Sequence, residues 1–303
     1  MAQIVKEVID YGLNYWDSIS DPRTSKWPLM SSPFPTLLMV AGYLYTVLIL
    51  GPTLMDNRKP FKLREVLIVY NAAQVIYSAA MFYEHLMSGW LFDYSYSCQP
   101  VDYSLSPVAM RMAHLCWWYY ISKLTEFLDT LFFVMRKKNN QISLLHVYHH
   151  SMTPIMTWVL VRFLAGGHGT FSNLINNLVH VVMYFYYMMT AMGPQYQKYI
   201  WWKKHLTTVQ LVQFLMVFVH SANALFSDCS YPKLISAFLV VHSCIFFGLF
   251  LDFYIKAYRR DKSRKGSGGL DSSLKGGHNA PTLQLAPLLT PAAEGPTPKT
   301  KTQ

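Results

Sequence analysis

Seven apolar stretches, each long enough to cross a lipid bilayer, divide this chain of 303 residues. A helix needs about 20 predominantly apolar residues to span the hydrocarbon core. The stretches lie near 34–51, 66–87, 113–135, 144–164, 171–191, 206–226 and 234–255. Only 14% of all residues are charged, whereas soluble domains average about 25%. The sequence therefore predicts an all-α polytopic membrane protein with seven transmembrane helices.

The formal net charge of +10 is concentrated at the C-terminal end of the chain. Residues 256–303 hold nine Lys and Arg against three Asp and Glu, and the preceding 255 residues hold 17 against 13. That earlier balance is too even for a groove that follows a phosphate backbone. No nucleic-acid partner is expected.

Basic residues are concentrated in every second loop between the predicted spans. They are Arg58, Lys59, Lys62 and Arg64 in the first loop, Arg136, Lys137 and Lys138 in the third, and Lys198, Lys203 and Lys204 in the fifth. Basic loops stay on the cytosolic side of a membrane. We therefore expect the odd-numbered loops and the C-terminus to be cytosolic and the N-terminus to be lumenal or exterior.

Three regions follow from this topology. Residues 1–33 show no removable signal peptide and are predicted to be a lumenal segment that lies at the membrane interface. Residues 34–260 form the transmembrane domain. Residues 261–303, rich in Gly and Pro, are predicted to be a flexible cytosolic tail. Lys299 and Lys301 give this tail the Lys-x-Lys-x-x form of a dilysine signal that returns proteins to the endoplasmic reticulum.

Two of the four cysteines fall in loops on the predicted lumenal side. Cys98 lies in the second loop and Cys229 in the sixth. Because that compartment is oxidising, a disulfide between them is a hypothesis. Cys116 and Cys244 lie within spans and are interpreted as small apolar residues.

Polar side chains form stripes along the second to sixth spans at helical spacing. The stripes comprise Asn71, Gln74, Ser78 and His85; Lys123, Glu126, Asp129 and Thr130; His146, His149 and His150; Asn173, Asn176, Asn177, His180, Tyr184 and Tyr187; and Thr207, Gln210, Gln213, His220 and Ser221. Such groups are costly in hydrocarbon unless they face a protein interior. The first span has no amide or charge, so we expect six helices around a polar interior with the first helix outside. The alternative is that these groups only join helices by hydrogen bonds.

The His146-x-x-His149-His150 motif allows three interpretations. Imidazoles at this spacing can bind a metal ion, although a di-iron site requires further histidine motifs that the chain lacks. The cluster can also be purely structural. In the third interpretation, a neutral imidazole acts as a nucleophile or takes a proton near pH 7.

Four motifs in order resemble those of the ELO family of very-long-chain fatty acid elongases. They are Lys123-x-x-Glu126-x-x-Asp129-Thr130, His146-x-x-His149-His150, His180-x-x-Met183-Tyr184-x-Tyr186-Tyr187 and Thr207-x-x-Gln210-x-x-Gln213. The segment from Met55 to Phe61, followed by Tyr70-Asn71, is also similar to that family. The resemblance covers about residues 30–265.

The resemblance implies a 3-oxoacyl-CoA synthase of the endoplasmic reticulum membrane, with six helices around a closed tunnel. This acyltransferase condenses a long-chain acyl-CoA with malonyl-CoA and releases CO2 and CoA. By resemblance, His149 is the nucleophile that forms an acyl-imidazole, and His180 is its partner across the tunnel. His146 and His150 would orient the site or stabilise charge.

Other polar residues have more than one interpretation. His180, Asn177 and Gln210 are candidate donors to the enolate formed from malonyl-CoA. Lys123, Glu126 and Asp129 form either a structural ion network or part of the chemistry. The CoA phosphates require cations at the cytosolic mouth, for which the candidates are Arg136, Lys137, Lys138, Lys203 and Lys204, together with Tyr187, although topology alone also explains the basic residues.

No bound cofactor and no metal ion are expected, and the substrates are the two acyl-CoA thioesters. Besides the lipid bilayer, the conceivable partners are other enzymes of the elongation cycle and homo- or hetero-oligomers. A receptor or transporter that binds a ligand without chemistry is one rival function, and a membrane metalloenzyme is the other.

Overall fold

A computed structural model describes residues 16–256, which are helical and contain no β-strand. Each predicted span coincides with a helix, and the third is divided into two. The helices are α1 (Phe34–Met55), α2 (Arg64–Trp90), α3 (Pro107–Thr125), α4 (Phe127–Met135), α5 (Leu144–Phe163), α6 (Thr170–Ala191), α7 (Lys203–Phe226) and α8 (Lys233–Tyr254). Residues 1–15 and residues 257–303, which include Lys299 and Lys301 of the predicted tail, lie outside the described residues.

Four of the described helices are long and apolar enough to cross a membrane, namely α1, α2, α7 and α8. Four such helices indicate a multi-pass membrane protein. The remaining predicted spans, α3–α4, α5 and α6, contain the ionisable groups and histidines of the polar stripes. These side chains lower the hydropathy of the segments that carry them, so membrane insertion of these helices stays a prediction.

The third predicted span is broken at Glu126. Helix α3 ends at Thr125 and α4 begins at Phe127. Just before the break, Ser122 Oγ donates to the Tyr119 carbonyl at 2.7 Å and Thr125 Oγ1 donates to the Ser122 carbonyl at 2.8 Å. Such hydroxyl groups compete with the regular helical pattern. The break thus lies at Glu126, one of the polar residues that the sequence places in the third stripe.

Residues 16–30 pack across the ends of α3 and α5. Arg23 forms an ion pair with Asp21 at 2.6 Å, and its guanidinium also donates to the carbonyl of Ala165 at 2.9 Å. Arg162 of α5 donates to the Ser25 carbonyl at 2.7 Å. Trp16, which the sequence assigned to an interfacial segment, stacks on the Trp158 ring at 6.2 Å. This part of the N-terminal segment is thus anchored to the helix ends by buried polar contacts.

Cys98 and Cys229 are joined by a disulfide with a Cα–Cα distance of 5.5 Å. This is the pair that the sequence analysis placed in two loops on one side of the membrane. The bond links the segment after α2 to the segment between α7 and α8. Next to it, Asn223 Nδ2 donates to the Ser97 carbonyl at 2.7 Å. The contacts fix the ends of these helices that carry the two loops relative to one another.

We expect Cys98→Ser to abolish a mobility difference that the wild-type protein shows between reducing and non-reducing gels. The closed loop spans 131 residues, and removing a native disulfide typically costs about 2–5 kcal/mol. The variant should therefore also unfold at a lower temperature in detergent. Cys244→Ser is the matched control because Cys244 is an exposed free cysteine. A wild-type protein with the same mobility in both gels would contradict the disulfide.

Candidate functional site

The main cavity of the described region has a volume of about 870 Å³. Its wall is formed by residues of α2, α4, α5, α6, α7 and α8 and of the loops that adjoin them, and no described residue of α1 contributes to it. The wall includes most of the polar residues of the sequence stripes. Its lining also includes apolar side chains, among them Leu145, Met183, Leu206, Phe214, Phe250 and Phe253. An amphipathic ligand with a polar head and a hydrocarbon chain matches this lining.

Helix α5 presents the histidine motif in its first two turns. Ser143 caps the helix, since its Oγ accepts a hydrogen bond from the backbone N–H of His146 at 3.2 Å. Pro154 lies inside the helix and cannot donate to the carbonyl of His150 four residues earlier. The cap fixes where the motif begins, and the proline loosens the helix immediately beyond it.

The three histidines of the motif and His180 all line the cavity. The rings of His146 and His150 have centroids 4.3 Å apart, and those of His149 and His150 are 5.0 Å apart. His180 Nδ1 lies 3.4 Å from Glu126 Oε1. One carboxylate oxygen of Glu126 and one ring nitrogen each of His149 and His150 lie within 4.8 Å of one another. Glu126 is therefore the group that links the α5 histidines to His180 on α6.

Glu126 is paired with Lys123 in a buried network. Lys123 Nζ lies 2.7 Å from Glu126 Oε1 and 2.9 Å from Asn176 Oδ1. Tyr119 also donates to Asn176 Oδ1, at 2.8 Å. The side chains of Lys123 and Glu126 are only 1% and 2% exposed. A buried ion pair of this kind persists only when further hydrogen bonds satisfy it, and Asn176 provides one.

Asp129 belongs to a separate contact. Its Oδ2 accepts a hydrogen bond from the Tyr184 hydroxyl at 2.8 Å. Of the three charged residues that the sequence grouped as one network, Lys123 and Glu126 thus form an ion pair with each other. Asp129 instead accepts a hydrogen bond from Tyr184. This hydrogen bond joins α4 to α6, and both of its residues line the cavity.

Most of the predicted catalytic residues line this cavity. They are Glu126, Asp129, His146, His149, His150, His180 and Gln210. Lys123 lies behind the wall against Glu126. Asn177 is buried outside the lining, and its Nδ2 has no hydrogen-bond partner. The structure does not bring Asn177 to the site.

The predicted CoA-binding residues divide in the same way. Arg136, Lys138 and Tyr187 line the cavity, whereas Lys137, Lys203 and Lys204 are not part of its wall. Lys137 Nζ donates to the carbonyl of Asp56 at 2.9 Å and so binds the loop after α1. Lys204 Nζ lies 5.9 Å from the centre of the Tyr254 ring.

Sequence reasoning did not select Asn176 as a site residue, although Asn176 belonged to the α6 stripe. Asn176 and Asn177 lie four and three residues before His180, and both spacings place a residue on the same helical face. Periodicity alone cannot distinguish between them. The structure distinguishes the two asparagines, because Lys123 and Tyr119 both donate hydrogen bonds to Asn176. Asn71, Thr207 and Gln213 of the other stripes also line the cavity.

The described fold and cavity define a multi-pass membrane protein with a buried histidine and carboxylate site. The model of the GNS1/SUR4 (ELO) family matches residues 28–266. A very long chain fatty acid elongase of Aedes aegypti is 55% identical over 266 residues, which cover 88% of this chain and 74% of the relative. Very long chain fatty acid elongase 7 of Drosophila melanogaster is 54% identical over 275 residues, 88% of this chain and 84% of the relative.

The relationship also extends to mammals. Very long chain fatty acid elongase 7 of Rattus norvegicus is 53% identical over 247 residues, which cover 81% of this chain and 88% of the relative. The chain belongs to the ELO family and is an enzyme of fatty acid elongation. The resemblance inferred from the four motifs is thereby confirmed.

Proposed function

We propose that this protein is a 3-oxoacyl-CoA synthase that condenses a long-chain acyl-CoA with malonyl-CoA. The observation that carries the proposal is the meeting of two histidine-bearing helices at Glu126, in a cavity lined by both polar and apolar side chains. A thioester carbonyl needs a nucleophile and a proton acceptor, and neutral imidazoles provide both. The apolar lining residues accommodate hydrocarbon near the reacting carbonyl.

The first half-reaction transfers the acyl group to the enzyme. A ring nitrogen of His149 attacks the thioester carbonyl, the C–S bond breaks, and CoA leaves as a thiolate, which takes up the proton that the other ring nitrogen of His149 releases. The product is an acyl-imidazole on His149. His180, whose Nδ1 faces Glu126 Oε1 at 3.4 Å, is oriented to act on the same carbonyl from α6. Glu126 orients the imidazole and stabilises its protonated form.

The second half-reaction forms the carbon–carbon bond. Malonyl-CoA loses CO2, and the electrons of the broken bond form an enolate. The enolate carbon attacks the acyl-imidazole, the C–N bond breaks, and the leaving ring takes up a proton that reaches the site from solvent, which regenerates neutral His149 together with 3-oxoacyl-CoA. The enolate oxygen requires hydrogen-bond donors in a site without water. Gln210 and His180 line the cavity and are the proposed donors.

The cationic residues of the cavity are proposed to bind the CoA phosphates. Arg136 and Lys138 follow α4 and line the cavity with Tyr187. An arginine can bind a phosphate through two parallel hydrogen bonds. In this orientation the mouth faces the cytosol and the N-terminus is lumenal. The Lys-x-Lys-x-x tail then places the enzyme in the endoplasmic reticulum membrane.

The arrangement of six helices around a closed tunnel, with α1 outside, is part of the proposal. It is supported by the absence of described α1 residues from the cavity wall. A bilayer surrounds the exposed apolar side chains, which on α1 include Phe34, Leu38 and Ile49. Assembly into oligomers or with other elongation enzymes stays a prediction.

We propose that the reaction needs no metal ion or other cofactor. Glu126, His149 and His150 are close enough to share a divalent cation. However, the Lys123 ammonium already lies 2.7 Å from the Glu126 carboxylate. A dication would bring two further positive charges, and Asp129 is the one other carboxylate that lines the described cavity. This charge balance favours acid–base and nucleophilic chemistry over metal binding.

An assay with purified protein tests the proposal directly. The protein is incubated with a long-chain acyl-CoA and radiolabelled malonyl-CoA, with and without a chelator. We expect label in a 3-oxoacyl product two carbons longer than the acyl substrate, at a rate that the chelator leaves unchanged. Loss of activity with the chelator would indicate a metalloenzyme. Ligand uptake into vesicles without any labelled product would indicate a transporter.

A further inference from the structure

Helix α1 contributes no described residue to the cavity, yet one of its side chains is connected to the histidine motif. Tyr43 is a buried residue on a helix whose other side is exposed. Its ring stacks on Phe127 of α4, with the ring centres 4.4 Å apart and the planes at 13°. Its hydroxyl group lies 2.9 Å from Thr130 Oγ1. Phe127 and Thr130 are one helical turn apart, so the ring and the hydroxyl group of Tyr43 both contact the same face of α4.

Thr130 continues the connection to α5. Its Oγ1 lies 2.8 Å from Nε2 of His146, and the residue has no exposed surface. The His146 ring in turn lies 4.3 Å from the His150 ring. Two consecutive hydrogen bonds therefore join α1, α4 and the first histidine of the motif. None of the sequence stripes contains Tyr43.

The chemical nature of the three groups favours one direction for the hydrogen bonds. A phenol is a better donor and a poorer acceptor than an aliphatic hydroxyl, so Tyr43 donates to Thr130. Thr130 has one proton, which it then donates to His146 Nε2. This nitrogen must be unprotonated to accept, so His146 carries its proton on Nδ1. Such a contact to one ring nitrogen sets the tautomer of a histidine.

We propose that Tyr43 and Thr130 are positioning residues, which hold His146 as its Nδ1-protonated tautomer in the orientation that catalysis requires. The inference rests on the proposed function, because it assigns His146 a role in the condensation. It also gives α1 a function beyond contact with lipid. With Nε2 bound to Thr130, the tautomer determines whether Nδ1 is a donor or an acceptor, and an imidazole in the other tautomer would present an acceptor where the site needs a donor.

Four variants test the coupling. Thr130→Val removes the hydroxyl group but keeps the shape of the side chain. We expect kcat to fall about tenfold, which corresponds to the loss of one hydrogen bond at the upper end of the usual range of strength. The KM for acyl-CoA should stay within about twofold, since Thr130 does not line the cavity. Thr130→Ser should restore kcat. Tyr43→Phe should lower kcat about threefold. The double variant Tyr43→Phe/Thr130→Val should match Thr130→Val alone, because Tyr43 acts only through Thr130.

Tyr45→Phe is the matched control, since Tyr45 lies on the same helix but is 54% exposed, and its kcat should equal that of the wild type. Thermal unfolding in detergent is measured for every variant to separate lost positioning from lost folding. Unchanged kcat in folded Thr130→Val, or additive effects in the double variant, would overturn the proposal.

A spectroscopic measurement does not depend on the reaction at all. Long-range proton–nitrogen NMR spectra of protein with nitrogen-15-labelled histidine distinguish the two tautomers. The His146 signal is the one that His146→Gln removes. We expect an unprotonated Nε2 in the wild type and a mixture of tautomers in Thr130→Val. A wild-type His146 protonated at Nε2 would refute the positioning role even if condensation is active, whereas absent condensation with the expected tautomer would refute only the proposed function.

Discussion

We expect His149→Ala to lower the rate of 3-oxoacyl-CoA formation at least about a thousandfold, the scale on which removal of a covalent nucleophile acts. In the proposed mechanism the acyl chain is carried by His149 alone. His150, the adjacent residue, is more deeply buried and lies 5.0 Å away, centre to centre. Product formation is followed with radiolabelled malonyl-CoA under single-turnover conditions, which separates chemistry from substrate binding.

His114→Ala is the matched control for this loss. His114 stacks on Trp27 with ring centres 4.4 Å apart and lies outside the cavity. Its replacement should leave the rate within about twofold of the wild type. If His149→Ala folded normally and retained more than a few per cent of the rate, the nucleophile would have to be reassigned.

Mass spectrometry locates the intermediate independently of the rate. In the wild-type protein quenched with acyl-CoA alone, the acyl adduct should map to the peptide that contains His149. It should be absent from the His149→Ala variant. An adduct on Cys116 or Cys244 would instead indicate the thiolate chemistry of a cysteine nucleophile.

We expect Lys123→Met to destabilise the protein by about 3–5 kcal/mol, because it leaves the Glu126 carboxylate buried without its counter-ion. Methionine has a similar length and causes little loss of packing. The effect is large because both partners are almost fully buried and Lys123 also bonds Asn176. Unfolding is followed by tryptophan fluorescence of the detergent-solubilised protein during heating.

A second variant separates structural from chemical roles of this pair. Lys123→Met/Glu126→Gln removes both charges together and should recover most of the lost stability. Activity should stay low, because His180 has lost the carboxylate that orients it. Full activity in this stable double variant would assign the pair a purely structural role.

Lys256→Met serves as the control for removing a lysine from an ion pair. Lys256 contacts Asp252 at 2.7 Å, but their side chains are 40% and 53% exposed. Exposed pairs of this type contribute about 0–1 kcal/mol, so the unfolding temperature should hardly change. Equal destabilisation by Lys256→Met and Lys123→Met would contradict the importance assigned to burial.

The polar stripes predicted much of the site because helical periodicity is a local property. The four histidines of the proposed centre were found in this way, since His146, His149 and His150 belong to the α5 stripe and His180 belongs to the α6 stripe. Periodicity could not choose between Asn176 and Asn177, which share one face. It also could not reveal the break at Glu126, where the hydroxyls of Ser122 and Thr125 bond local carbonyls.

The boundaries of the predicted spans and the motifs within them were determined by the sequence alone. Hydrocarbon excludes unpaired polar groups, so long apolar runs must form helices, and the sequence shows where those runs lie. Only the tertiary structure decided which polar groups meet. Lys123 finds Asn176 across 53 positions, and Tyr43 reaches Thr130 across 87. These pairings depend on how helices rotate and pack against one another, which no local pattern encodes.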